Sequence, residues 1–137
     1  TDHCVPQYRE EKLAERRTRW QKIAGEAAKQ CGRNFIPPVY PARRLADFFS
    51  QVAADHELIV LYEGPAPETL KQVLRTGSGE KYVLTVGPEG GFSPAEIRLA
   101  KEYGAHIVTM GSRILRTETA SLAAMAAIMY ELGDLGG

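Results

Sequence analysis

Three short, mostly apolar runs set the layout of this chain: Glu57-Leu58-Ile59-Val60-Leu61-Tyr62, residues 81–86, and His106-Ile107-Val108-Thr109-Met110. Each has the length of a strand, and the first is apolar at consecutive rather than alternate positions, which predicts strands buried on both faces of a parallel sheet. Elsewhere apolar residues recur at three- and four-residue steps. Trp20, Ile23, Ala24, Ala27, Ala28 and Cys31 predict a helix over about residues 10–31, stopped by Gly32, with Trp20 and Cys31 in the core. Ile36-Pro37-Pro38-Val39-Tyr40-Pro41 is a connector, because each proline removes an amide donor and restricts its predecessor. Leu45, Phe48, Phe49 and Val52 then fall at i, i+3, i+4 and i+7 of a short packing helix, with Pro41 suited to its first turn. Leu70, Val73 and Leu74 share one side of a helix over about residues 67–75. Ser93-Pro94-Ala95-Glu96 combines an N-cap, a proline at the first helical position and a glutamate at the third, so a helix runs from there to about Tyr103, with Gly104 as its stop. A last helix opens at Thr117 or Glu118 and ends near Gly133. Strand, loop and helix repeat in turn, which predicts an α/β fold: a parallel sheet with flanking helices.

Length and charge add two points. A chain of 137 residues supports one domain with a real core, and no apolar run is long enough to span a bilayer. The net charge is zero, yet residues 1–44 carry ten Lys/Arg against five Asp/Glu, and residues 45–137 carry seven against twelve. Any surface facing a polyanion therefore belongs to the first third, although a solvated helix face explains the same charges equally well. With no charged-then-apolar leader and only two distant cysteines, a cytoplasmic location is expected. His3, His56 and His106 stand in no ligand spacing, so no metal is expected.

Candidate chemistry concentrates where the strands end. In open parallel sheets ligands collect beyond the carboxyl ends of the strands, and three loops qualify: Glu63-Gly64, residues 87–92, and residues 111–117. If the three strands are neighbours, these loops line one cleft. Glycines at 64, 87, 90, 91 and 111 would then let a flat ligand approach the backbone closely. Neither long loop carries a dinucleotide or P-loop pattern. Pro88 offers no amide to a phosphate and Glu89 would repel one, so a ligand without phosphate, or with positive charge, fits better. A bare tight turn is the competing reading of Gly-Pro-Glu-Gly-Gly. Arg113, Arg116 and Glu118 either pair within their loop or leave a guanidinium free for a phosphate or a base carbonyl. Thr117 and Thr119 are expected to cap the last helix. That helix, with Leu122, Met125, Ile128 and Met129 among alanines, is apolar nearly all round, which predicts burial against a second subunit as well as its own sheet.

GPEGGFSPAEI followed by MGSRILRTETA resembles the RsmE family of SPOUT-class methyltransferases, which use S-adenosylmethionine to methylate uracil N3 in 16S ribosomal RNA of the small subunit. The upstream RWQKIAGEAAKQCGR and IPPV resemble the same family's first block, so the resemblance covers about residues 19–132. It implies a C-terminal trefoil knot, a homodimer, and a methyl donor held mostly by backbone. Carried onto this chain, the donor would lie among Leu61, Tyr62, Glu63, Gly64, Gly87, Pro88, Glu89, Gly90, Gly91, Met110, Gly111, Ile114, Leu115, Arg116, Thr117, Thr119 and Ala120. Arg33 closes the first block and is expected to contact RNA or the methyl-transfer centre. Glu118 or Glu89 would serve as base, and Arg116 or Arg33 would stabilise charge on the uracil oxygens. The resemblance also implies that the chain is a SPOUT methyltransferase domain truncated at its N-terminus, lacking the family's RNA-binding β-barrel and first strand and helix. His3 stands where the family has arginine. A non-catalytic module binding S-adenosylmethionine or RNA, and an unrelated nucleotide-binding α/β domain, are the alternatives.

Overall fold

The computed structural model describes residues 9–133 and 135; His3 and Cys4 lie outside the described residues. Two compact units divide between Arg43 and Arg44. The first consists of α1 (Glu10–Gln30) and the proline segment that follows it. α1 ends in a Schellman motif: Gly32 takes φ +71°, its amide donates to Lys29 O, and the Arg33 amide donates to Ala28 O at 2.9 Å. The proline segment has few amides of its own to offer, and α1 side chains meet one of them and two of its carbonyls. Gln21 Nε2 donates to Pro37 O at 3.0 Å and its Oε1 accepts from the Val39 amide at 2.7 Å, while Arg17 Nε donates to Val39 O at 2.8 Å. The expectation that Trp20 and Cys31 are core fails. Trp20 is 49% exposed, Cys31 is exposed, and Ala28 is the buried residue of the helix. A helix held to an extended strap through polar side chains buries little of its apolar stripe.

The second unit is a three-layer α/β/α arrangement. Its elements are α2 (Leu45–Val52), β1 (Glu57–Leu61), β2 (Glu68–Thr69), α3 (Leu70–Thr76), β3 (Tyr82–Val86), α4 (Pro94–Glu102), β4 (His106–Thr109) and α5 (Thr117–Glu131). All strands are parallel, in the order β2-β4-β1-β3. The three runs named above are therefore neighbours, with Glu57 to Leu61 opposite Tyr82 to Val86 on one side and Ile59 to Leu61 opposite His106 to Val108 on the other. Successive residues of β1 feed separate cores. Leu58 and Val60 join Phe49, Phe92, Ile97, Ala100 and Ile107 on the α2/α4 face, and Ile59 joins Leu70, Val73, Val108, Ala124 and Ile128 on the α3/α5 face. Burial on both faces is why the run is apolar at consecutive positions.

Three expectations need correction. α2 begins at Leu45 behind Arg44, so Pro41 is outside it. The helix placed over 67–75 begins at Leu70, because Thr69 and Gln72 form a capping box and Glu68–Thr69 pair with β4. β3 is half-buried throughout rather than buried, since no strand covers its outer edge among the described residues.

At the amino ends of the strands, the Tyr82 phenol is held above its ordinary value of 10.0, first by burial and then by the charge and hydrogen bond of Glu57. A raised folded-state value means stability that is present below the unfolded value and is lost as pH rises through the folded one. Denaturant midpoints taken across the alkaline range should therefore fall less steeply above about pH 10 in Tyr82→Phe than in the parent. Parallel curves would show that the phenol contributes no such linkage.

Candidate cofactor site

Chain direction creates the site. β1 sends its connection to α3 on one face, and neighbouring β3 sends its own to α4 on the other. Loops leaving adjacent strands toward opposite faces open a crevice at the carboxyl edge of the sheet. That crevice is a cavity of about 400 Å³. Its lining comes from Leu61, Tyr62, Glu63 and Gly64 after β1, from Val86, Gly87, Pro88, Gly90, Gly91 and Phe92 after β3, and from residues 108–115 with Thr117 and Ala120 at β4 and the start of α5.

Local sequence shapes each wall. In the β3 loop the Gly91 amide donates to Pro88 O at 2.8 Å, and Gly91 takes φ +70°, which a side chain would strain. Ser93 and Glu96 then close a capping box, with the Ser93 amide donating to Glu96 Oε2 at 2.9 Å and the Glu96 amide to Ser93 Oγ at 3.2 Å. Phe92 precedes this cap and Ile97 follows at its fourth helical position. Both are buried in one cluster, a hydrophobic staple that fixes where the loop enters α4. In the β4 loop Thr109 Oγ1 donates to Gly111 O at 3.0 Å and accepts from the Gly111 amide at 3.3 Å, turning the chain directly after the strand. The Tyr62 amide donates to Val108 O at 2.9 Å, tying the start of the β1 loop to β4, and both residues line the cavity.

Glycines on the lining let a flat group approach the backbone, Pro88 has no amide for a phosphate, and the two charged lining residues, Glu63 and Arg113, are opposite in sign.

Comparison with known proteins agrees with this geometry. Residues 1–129 match the RNA methyltransferase domain family. The chain belongs to that family. It is 34% identical to the ribosomal RNA small subunit methyltransferase E of Bacillus subtilis (strain 168), over 93% of this chain and 52% of that protein. It is 37% identical to the enzyme of the same name from Synechocystis sp., over 80% of this chain and 37% of the other. Among solved structures, a ribosomal RNA small subunit methyltransferase E of Neisseria gonorrhoeae bound to S-adenosyl methionine aligns at TM-score 0.82 and 36% identity, covering 95% of this chain and 52% of that one. A Legionella pneumophila protein in complex with the bound cofactor SAM aligns at TM-score 0.83 and 32% identity, again over 95% and 52%. The chain thus spans about half the length of the curated relatives it matches. The family resemblance drawn from the glycine loops and the α/β parallel-sheet fold both stand.

Within this RNA methyltransferase domain, most of the expected donor residues line the cavity. Glu89, Arg116 and Thr119 do not, although each neighbours one that does. Arg33 belongs to the α1 unit. Among the described residues Arg113, Arg116 and Glu118 form no ion pair with one another, so the reading in which they merely fix their loop fails. Thr117 and Thr119 do not cap α5. Arg116 holds the N-cap position with no side-chain cap bond, which makes Thr117 the first helical residue and puts its hydroxyl past capping reach. Val86, Val108 and Thr109, at the ends of β3 and β4, are lining residues outside the three loops to which the sequence points. On α5, Ala124 and Ile128 are buried while Leu122 (76%), Met125 and Tyr130 (70%) are exposed. Among the described residues there is no cluster of metal-ligating side chains, and no helix is long and apolar enough to cross a membrane.

Proposed function

We propose that residues 1–137 form the methyltransferase domain of an S-adenosylmethionine-dependent enzyme that methylates uracil N3 in 16S ribosomal RNA of the small ribosomal subunit, in the cytoplasm. The observation that carries this reading is a nucleoside-sized cavity, at the carboxyl edge of three adjacent parallel strands, lined chiefly by glycine, apolar and neutral polar residues. The names of the relatives support the ribosomal substrate.

The β1, β3 and β4 loops would hold the donor, chiefly through the backbone of Gly64, Gly87, Gly90, Gly91 and Gly111 and through Leu61, Tyr62, Met110, Ile114, Leu115, Thr117 and Ala120. When bound, the donor supplies an electrophilic methyl group on a sulfonium. The protein must take the N3 proton from the uracil, and the carboxylate of Glu118 or Glu89 is proposed as its acceptor. The guanidinium of Arg116 neutralises the charge that develops on the uracil oxygens, and Arg33, in the basic α1 unit, contacts the RNA. The exposed Leu122, Met125 and Tyr130 of α5 suit burial in a homodimer. The β4–α5 segment is proposed to form the SPOUT trefoil knot.

Calorimetric titration with S-adenosylmethionine, S-adenosylhomocysteine and ATP tests the donor. Binding of the first two is expected, and tight ATP binding with neither of the others would overturn the reading. Arg116→Ala should lower methyl transfer to undermethylated 30S subunits by roughly 10- to 100-fold, less than loss of a buried oxyanion donor because Arg116 is exposed, while sparing donor affinity. Loss of donor affinity instead would move Arg116 to the cofactor side.

A further inference from the structure

Of all the side chains that line the cavity, two are charged: Glu63, after β1, and Arg113, in the loop between β4 and α5. They are opposite in sign and both are exposed, yet among the described residues neither is ion-paired or hydrogen-bonded through its side chain. Opposite charges on one lining that do not satisfy each other leave each able to meet a ligand charge. The remainder of the lining is glycine, apolar or neutral polar, suited to an uncharged nucleoside.

A methyl donor of the class proposed above has one zwitterionic part, an amino-acid tail with an α-ammonium and an α-carboxylate. We propose that Glu63 and Arg113 hold the two ends of this tail, the Glu63 carboxylate accepting from the ammonium and the Arg113 guanidinium donating to the carboxylate. The assignment rests on the methyl-donor reading and adds to it a direction: the adenosine lies among the glycine loops and the tail lies toward the two charges. A guanidinium presents paired donors that match the two oxygens of a carboxylate, which a lysine ammonium does not. Because both groups are exposed, their pull on the tail is screened by salt and stays modest.

Three probes separate the ends. S-adenosylmethionine carries both, decarboxylated S-adenosylmethionine keeps the ammonium and lacks the carboxylate, and 5′-methylthioadenosine lacks the tail. Calorimetric titration of the full chain should show Arg113→Ala losing about tenfold in affinity for S-adenosylmethionine and nothing for the other two. Glu63→Gln should weaken both tailed ligands by a similar factor and leave 5′-methylthioadenosine unchanged. Arg113→Lys should recover part of the loss, and both effects should shrink with added salt. Unchanged 5′-methylthioadenosine binding reports that the cavity is intact in each variant. The proposal is overturned if the variants keep the parent's preference among the three probes, or if they weaken all three equally, which would give these residues a role in building the loops. If the parent binds no probe at all, the methyl-donor reading falls and takes this inference with it.

Discussion

Phe49→Ala should cost ~3–5 kcal/mol of folding stability, the range seen when a fully buried aromatic is truncated and its site cannot collapse. Phe49 is 0% exposed. Its ring stands 6.1 Å from those of Phe48 and Tyr103, in tilted geometry, and it shares a cluster with Leu58 and Val60 of β1, Ile107 of β4 and Ala100 of α4. Strands and helices thus surround the site on several sides, and no one of them can close the void without leaving its other partners. A fall in Tm of more than about 10 °C should accompany the loss in a unit of this size. The denaturant midpoint should drop at constant slope, since the surface exposed on unfolding barely changes. Phe35→Ala is the matching control: it removes the same ring at 61% exposure, away from α5, and should change stability by no more than about 0.5 kcal/mol. A loss below about 1 kcal/mol at Phe49 would mean that α2 does not depend on this contact.

That α2 was legible in the sequence, and its beginning was not, illustrates what a pattern can carry. Leu45, Phe48, Phe49 and Val52 announce an apolar stripe by spacing alone, and the stripe is where the cluster lies. Pro41 is compatible with a helical first turn but does not demand one, so the boundary had to come from tertiary structure. The α4 start was legible to the residue because Ser93, Pro94 and Glu96 state one boundary in three independent ways. The strap after α1 hid the exposure of Trp20, since helical spacing shows which face is apolar and not whether anything covers it. Strand order was out of reach for a related reason. An apolar run such as Leu58-Ile59-Val60 demands cover on both faces and is silent on which strand lies at either side, so order depends on crossovers and long-range contacts that leave no local mark. The cavity was legible at the level of loops, because strand ends and glycines locate it. Which side chains turn inward was not: Arg113 and Arg116 are three residues apart in one loop, and only Arg113 reaches the lining.

Gly87 is where packing and ligand binding meet most directly, and Gly87→Val should reduce S-adenosylmethionine affinity by roughly 10²-fold, the upper end of overpacking costs of ~1–3 kcal/mol. A Cβ built at Gly87 stands 3.1 Å and 3.2 Å from two atoms of the Phe92 ring and 3.4 Å from the Gly91 carbonyl carbon. Phe92 cannot withdraw, because it is stapled to Ile97 and buried against the α2/α4 core. The added branches must therefore displace the loop, and both Gly87 and Phe92 belong to the cavity lining. Gly104→Ala provides the contrast. Nothing lies within 4 Å of its Cβ and it stands outside the cavity lining, so φ +77° supplies the whole penalty and the cavity keeps its shape. Titration of both variants, with Tm measured alongside, should show donor affinity falling much further in Gly87→Val than in Gly104→Ala at comparable loss of stability. Equal affinities would place the donor away from the β3 loop, and the cavity at the carboxyl edge would then need another ligand.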